Sequence, residues 1–313
     1  MEGPPQISVL IPTKHRPEAL AVAVRSVLAQ TFTPLSLVIV DQSSDGESRR
    51  RVEAELSTAR ERRGPLWSLN YIHDPEIPGA ATARNRAMAV AAGDIWLFLD
   101  DDVILEPDFV EQLIAVYRDQ AEVTGVSGII TNQVRPPLAF RLWSGLFMRG
   151  PFHDERQPIY WNAERLRNSP PLRVHRFGAG LMSFRAEAIR GNRFDENLDR
   201  SLRGVSDGED VDFCSHLAPD SVLLIAPRAR LQHHPSPASR LTDHWVRRHV
   251  RGNLFLYHKN WNTGLLNQLR YGWLWLGYSV VAIVASCHQL SLEPWRAWRL
   301  GAREAANALA GAS

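Results

Sequence analysis

Residues 93–109 read "GDIWLFLDDDVILEPDF". Five apolar residues, Ile95 to Leu99, run into three consecutive aspartates, Asp100, Asp101 and Asp102. A short continuous apolar run suits a strand buried on both faces, as in a parallel sheet covered by helices. Three adjacent carboxylates repel one another and add nothing to a core. Strand side chains alternate, so Asp100 and Asp102 share a face while Asp101 points away, at least until the chain turns. Two carboxylates about 7 Å apart along one face can converge on a divalent cation, which removes their repulsion. Hard cations such as Mg2+ and Mn2+ take oxygen ligands and often bind through one or two carboxylates plus substrate phosphates. The bland alternative is a solvated acidic turn capping the next helix. The apolar approach and the acids at other strand ends argue against it.

The pattern before this stretch has the same grammar. "ISVLIP" (7–12), "LSLVIVD" (35–41) and "LWSLNYIH" (66–73) read as strands. Helical spacing fills the gaps at 17–32, opened by Pro17, at 46–63, and at 79–93, with Gly93 as the expected stop. Strand–helix alternation predicts an α/β fold with a mostly parallel sheet and helices on both faces. Ligands of such sheets bind at the carboxyl ends of the strands. Thr13 to Arg16, Asp41 to Asp45 and Asp100 to Asp102 all lie at such ends. Further on, the chain predicts a helix over 107–119, a strand over 123–132, strand then helix over 177–190, an acidic turn leading into a helix over 205–218, and a strand over 221–227. Residues 133–176, rich in Pro, Arg and aromatics, read as a long excursion that covers a site.

The chain has 313 residues, 44% hydrophobic and 22% charged, a globular composition. A net charge of +2 gives no ground for a nucleic-acid partner. Two cysteines, Cys214 and Cys287, make no disulfide framework and no metal spacing. With no basic, apolar leader at "MEGPPQISVLIP", the expected location is cytoplasmic.

The ordered set "SVLIPTKHR", "LVIVDQSSDG", "GAATARN", "WLFLDDD", "FGAGLMSFR" and "GEDVDFC" resembles glycosyltransferase family 2, with its GT-A fold, over roughly residues 6–235. The resemblance implies a nucleotide-diphosphate sugar donor, a divalent cation (Mn2+ or Mg2+) and transfer with inversion. It puts Pro12, Thr13 and Arg16 at the nucleotide, Asp41 at base or ribose, and Gly79, Arg84 and Asn85 near the donor. It makes Asp100 to Asp102 the DXD motif. Asp102 is then the direct metal ligand, Asp101 lies toward ribose or sugar, and Asp100 is a second ligand or a structural partner. His233 matches a histidine that in some members touches metal or diphosphate. Asp210 matches the general base, with Glu209, Gly178 and Gly180 at the acceptor site. Where many members carry a second acid after Asp41, this chain has Gln42, which leaves the base open.

The resemblance divides the chain into a GT-A domain over 1–235 and a helical extension over 236–313. Within the first, the nucleotide half covers about 1–102 and the acceptor half about 103–235. From Leu241 onward eight Lys/Arg stand against three acids, with six of the ten tryptophans. "YGWLWLGYSVVAIVAS" (271–286) has 16 residues, short of the ~20 of a standard span. Three readings stay open for it: a packing helix, an interfacial anchor or a span. An anchor would bring the protein to the inner face of a membrane and fit a lipid-linked rather than a free glycan acceptor. Two rival functions remain: a silent nucleotide-sugar-binding protein and a sugar nucleotidyltransferase.

Overall fold

A computed structural model describes residues 5–32, 35–63, 67–148, 163–178, 180–201, 208–235, 245–260 and 264–310. Two compact units divide the chain. One takes residues 1–135, 157–199 and 209–235, the other 136–156, 200–208 and 236–313.

The first unit is built on a nine-stranded mixed sheet. Its strands are β1 (Ile7–Thr13), β2 (Leu35–Asp41), β3 (Trp67–His73), β4 (Ile95–Leu99), β5 (Val103–Leu105), β6 (Val123–Ile130), β7 (Leu172–Val174), β8 (Leu181–Arg185) and β9 (Val222–His233). The order is β3-β2-β1-β4-β8-β6-β9-β5, with β7 on the far side of β9. The β3-β2-β1-β4 half is all parallel. β8 runs antiparallel to β4 and β6, while β9 is parallel to β6. Helices α1 (Pro17–Leu28), α2 (Glu47–Arg63), α3 (Ala80–Val90) and α4 (Phe109–Asp119) connect the strands. Short helices follow in the chain: α5 (Leu138–Trp143), which belongs to the second unit, then α6 (Ala163–Leu166), α7 (Ala186–Ile189), α8 (Asn197–Ser201) and α9 (Glu209–Ser215).

Alternation along each central strand feeds two cores. Ile7, Val9 and Ile11 of β1 and Ile95, Leu97 and Leu99 of β4 join Leu20, Val24 and Val27 of α1. Leu10, Trp96 and Phe98 point the other way, to Ala83, Ala87 and Met88 of α3. Burial on both faces is why these strands read as unbroken apolar runs.

Some elements differ from expectation. α3 ends at Val90, ahead of Gly93. Gly93 serves a close approach instead, since a Cβ there would lie 2.7 Å from the Ser8 backbone N. β9 does not stop at Pro227 but continues to His233. Its register against β6 shifts between Ser127↔Ile225 and Ile129↔Arg230. Pro227 sits in that irregularity, where its missing N–H interrupts no ladder bond. β5 and β7 have three residues each, too few to display a period. The 133–176 stretch holds α5, a π-helical turn at Ser144–Met148, α6 and β7; residues 149–162 lie outside the described ones.

The second unit packs α10 (Trp245–Asn260), α11 (Leu265–His288) and α12 (Glu293–Ala310) around Val246, Val250, Leu274, Tyr278 and Ala282. Among the described residues no helix is long and apolar enough to cross a membrane.

Candidate active site

Sheet register builds the site. Thr13, Asp41 and His73 are level partners at the carboxyl edge of β1, β2 and β3. Leu10 pairs with Phe98, so three residues on, Thr13 is level with Asp101. Thr13 Oγ1 donates to Asp101 Oδ2 at 2.7 Å. His15 takes a left-handed φ of 54°, uncommon for a residue with a side chain. Its N–H donates to Ser43 Oγ. In this turn Arg16 reaches back to Asp101 at 3.0 Å and Asp102 at 3.2 Å. Asp41 is wholly buried; its oxygens accept from the Ser43 N–H and the Tyr71 hydroxyl at 2.9 and 2.6 Å. Pro12 is buried on β1 beside Val40 of β2.

The three aspartates part company beyond Leu99. Asp101 turns into the body of the unit, 4% exposed, with its oxygens held by Thr13 and Arg16. Burial pushes its pKa up to about 6 against the pull of those two partners. Asp100 and Asp102 meet His233, brought to one side by the turn that follows β4 rather than by strand alternation. One ligand atom from each of these three lies within 4.8 Å of the others. His233 arrives because β5 pairs antiparallel with β9, Val103 opposite His233, and the His234 N–H bonds the Asp102 carbonyl. His233 Nε2 stands 3.0 Å from Asp102 Oδ1. That oxygen is buried and has no aligned hydrogen-bond donor. Burial disfavours imidazolium at His233, but Asp102 outweighs it and raises the pKa. Two carboxylates and an imidazole whose ligand atoms lie this close together fit a hard divalent cation.

The second acidic group enters at the start of α9. Arg84, 3% exposed, donates to Glu209 Oε1 at 2.5 Å and to Asp100 Oδ1 at 3.0 Å. One buried guanidinium thus ties the strand-end aspartates to the α9 acids. Asp210 is buried beside Glu209. Loss of water and the Glu209 charge push its pKa up to about 7, with Arg84 pulling the other way. Two glycines pack against these acids. A Cβ on Gly178 would lie 3.4 Å from Asp210 Oδ2, and one on Gly180 would fall 1.9 Å from Asp100 Oδ2. Gly180 also adopts a φ of +61°, in the region that favours glycine.

Neighbouring Asn85 faces inward. Its amide donates to the Phe194 carbonyl and Glu196, and its oxygen accepts from the Phe194 N–H. Gly79 precedes α3, where Asp199 accepts from the N–H groups of Ala81 and Thr82 at 3.1 and 2.9 Å. Sequence reasoning missed Asp199, Tyr71, Ser43 and the bridging place of Arg84. The pattern that could have flagged Tyr71 is its register opposite Ile39, two residues before the Asp41–His73 edge and so on the same face of the sheet.

The sequence profile described as glycosyl transferase family 2 matches residues 8–189. The glucosyl-dolichyl phosphate glucuronosyltransferase of Haloferax volcanii is 31% identical over 127 residues, 40% of this chain and 38% of that protein. The succinoglycan biosynthesis protein ExoM of Rhizobium meliloti is 27% identical over 248 residues, 77% and 70% of the two chains. The chain therefore spans well under half of the first relative's length and about two thirds of the second's. Among solved structures, the mannosyltransferase PcManGT of Pyrobaculum calidifontis, in complex with GDP-Man and Mn2+, superposes with a TM-score of 0.57 at 17% identity, over 99% of this chain and 87% of that one. The sheet order, the carboxyl-edge acids and the profile spanning more than half the sequence agree: the chain belongs to glycosyltransferase family 2, with a GT-A fold.

Proposed function

We propose that the protein is a metal-assisted, inverting glycosyltransferase that moves a sugar from a nucleotide-diphosphate sugar to a hydroxyl of a glycan or lipid-linked acceptor. Residues 1–102 take the nucleotide side and 103–235 the acceptor side, with 236–313 as an extension. The observation that carries this is the Arg84 bridge from Asp100 to Glu209. It brings the acids of the leaving side and of the attacking side to one buried cation. Gly180 lets the backbone pass directly against the Asp100 carboxylate, and Gly178 lies at contact distance from Asp210.

Asp210 accepts the proton of the acceptor hydroxyl as its oxygen attacks C1. The new C1–O bond forms while the bond from C1 to the diphosphate oxygen breaks, and its electron pair leaves on the diphosphate. Attack from the face opposite the leaving group inverts C1. Asp100, Asp102 and His233 would hold a divalent cation, which would supply charge neutralisation for the departing diphosphate. Arg16 and Thr13 fix Asp101 at the nucleotide edge, and Asp41, held by Tyr71, faces base or ribose. The relative named for glucosyl-dolichyl phosphate supports a lipid-linked acceptor, and the one named for succinoglycan supports polysaccharide synthesis. Peripheral membrane contact through 271–286 belongs with the first.

A panel of nucleotide sugars, each with Mn2+ and hydroxyl acceptors, tests the proposal by nucleoside diphosphate release and the anomeric configuration of the product. Binding without turnover would mark a silent nucleotide-sugar binder. Pyrophosphate release from a nucleoside triphosphate and a sugar phosphate would mark a nucleotidyltransferase.

A further inference from the structure

α11 is apolar on two opposite sides. Its inward side, Leu274, Gly277, Tyr278 and Ala282, is buried against Val246 and Val250 of α10. Its outward side carries Leu269, Leu276, Val280, Ile283 and Val284, from 37% to 60% exposed. These recur at three- and four-residue steps and form one stripe along the helix. No Asp, Glu, Lys or Arg occurs from Tyr271 to His288. The π-helical segment after α5 widens the stripe. Trp143 Nε1 donates to the Gly277 carbonyl at 2.9 Å and Trp273 Nε1 to the Leu146 carbonyl at 2.8 Å. Leu138, Leu142 and Leu146, 63%, 66% and 50% exposed, recur at four-residue steps in this strap. An apolar surface this continuous marks an interaction site.

The charge around it selects the partner. α12 packs on α11 through Trp298 and Trp275, ring centroids 4.7 Å apart, and Trp295 of α12 stacks on Trp298 at 4.9 Å. Its outward side presents Arg296, Arg299 and Arg303, all exposed. Across α10 to α12 eight Lys/Arg stand against two acids, Glu293 and Glu304, and Glu304 is paired with Arg247. A helix with a long apolar stripe beside a basic row and tryptophans lies in a lipid interface. Among the described residues no helix is long and apolar enough to pass through. A second copy fits worse, because a two-fold pairing of this face sets the arginine row near its own image.

We infer that the outward face of α11, with Leu138, Leu142 and Leu146 and the arginine row of α12, docks the protein on an anionic phospholipid surface. This deepens the lipid-linked-acceptor reading and rests on it for its purpose, while the contact itself is measurable without sugar transfer.

The full chain is sedimented with vesicles of mixed phosphatidylglycerol and phosphatidylcholine, and with phosphatidylcholine alone. Binding to the anionic vesicles, weakened in high salt, is expected. Arg296→Gln/Arg299→Gln/Arg303→Gln should weaken it on the order of a hundredfold and flatten the salt dependence. Leu276→Gln/Ile283→Gln should weaken it by at least about tenfold at every salt concentration. Both sets are exposed, and circular dichroism melts check that they fold. Absence of binding to anionic vesicles, equal binding to both vesicle types, or a solution dimer that Leu276→Gln/Ile283→Gln breaks would each overturn the inference. Transfer to a soluble acceptor is followed in the same preparations. Vesicle binding without transfer sinks the enzymatic reading alone, and transfer without vesicle binding sinks this inference alone.

Discussion

Arg84 holds Asp100 with one terminal nitrogen and Glu209 with the other, and it lowers the pKa that burial and Glu209 raise at Asp210. A general base works only when ionised, so activity should fall as pH drops through the Asp210 pKa of about 7. The kcat/KM profile should carry an acid limb near neutrality. Two substitutions move that limb in opposite directions. Arg84→Met removes the cation and should shift it to higher pH. Glu209→Gln removes the neighbouring negative charge and should shift it to lower pH. Arg84→Met also leaves Asp100 and Glu209 buried without their cation, so stability should drop by about 3–5 kcal/mol, read from denaturant melts. Asp210→Asn keeps the shape and loses the proton acceptor. Its kcat should fall about 10²–10⁴-fold with donor affinity little changed. Retention of more than about a tenth of the activity would move the base elsewhere, with Asp212 the next acid in the same helix.

α3 shows how an element is fixed by a residue far away in sequence. It has no side-chain cap of its own at Gly79, and Asp199 of α8 accepts from its first free N–H groups. Helix starts favour such a carboxylate. A Cβ on Gly79 would sit 2.4 Å from Asp199 Oδ1. Gly79→Ala should therefore displace the cap and lower stability by about 1–2 kcal/mol. Asp199→Ala should cost a similar amount, and the double variant should cost little more than either single one, since both remove the same contact. Fully additive losses in the melts would show that Gly79 matters for another reason. β9 makes the complementary case: a proline that reads as a stop is carried through a register shift, and the six residues beyond it deliver His233.

Three groups that could hold a metal ion come from two distant places, Asp100 and Asp102 after β4 and His233 at the end of β9, and they meet through the strand order of the sheet. EDTA should abolish donor binding measured by calorimetry, and Mn2+ should restore it. Asp102→Ala should bind donor equally weakly with or without Mn2+, and His233→Ala should need more Mn2+ for the same affinity. Equal donor affinity of the unaltered protein with and without metal would remove the cation from the site.

The parallel half of the sheet was legible in the residue order, because a strand buried on both faces needs a local apolar run and a covering helix needs a local 3.6-residue period. So were the three carboxyl-edge stretches, since register places Thr13, Asp41 and Asp101 at one level once the strands are parallel. The meeting of Asp100 and Asp102 was less legible, because the strand ends at Leu99 and a turn places them. Folding alone settled which groups answer these acids. Arg16 reaches Asp101 across 85 residues, Arg84 reaches Glu209 across 125, and Asp199 reaches Ala81 across 118. Such pairs form where burial removes water from a charge and leaves a distant partner as its compensation, and no local spacing records that demand.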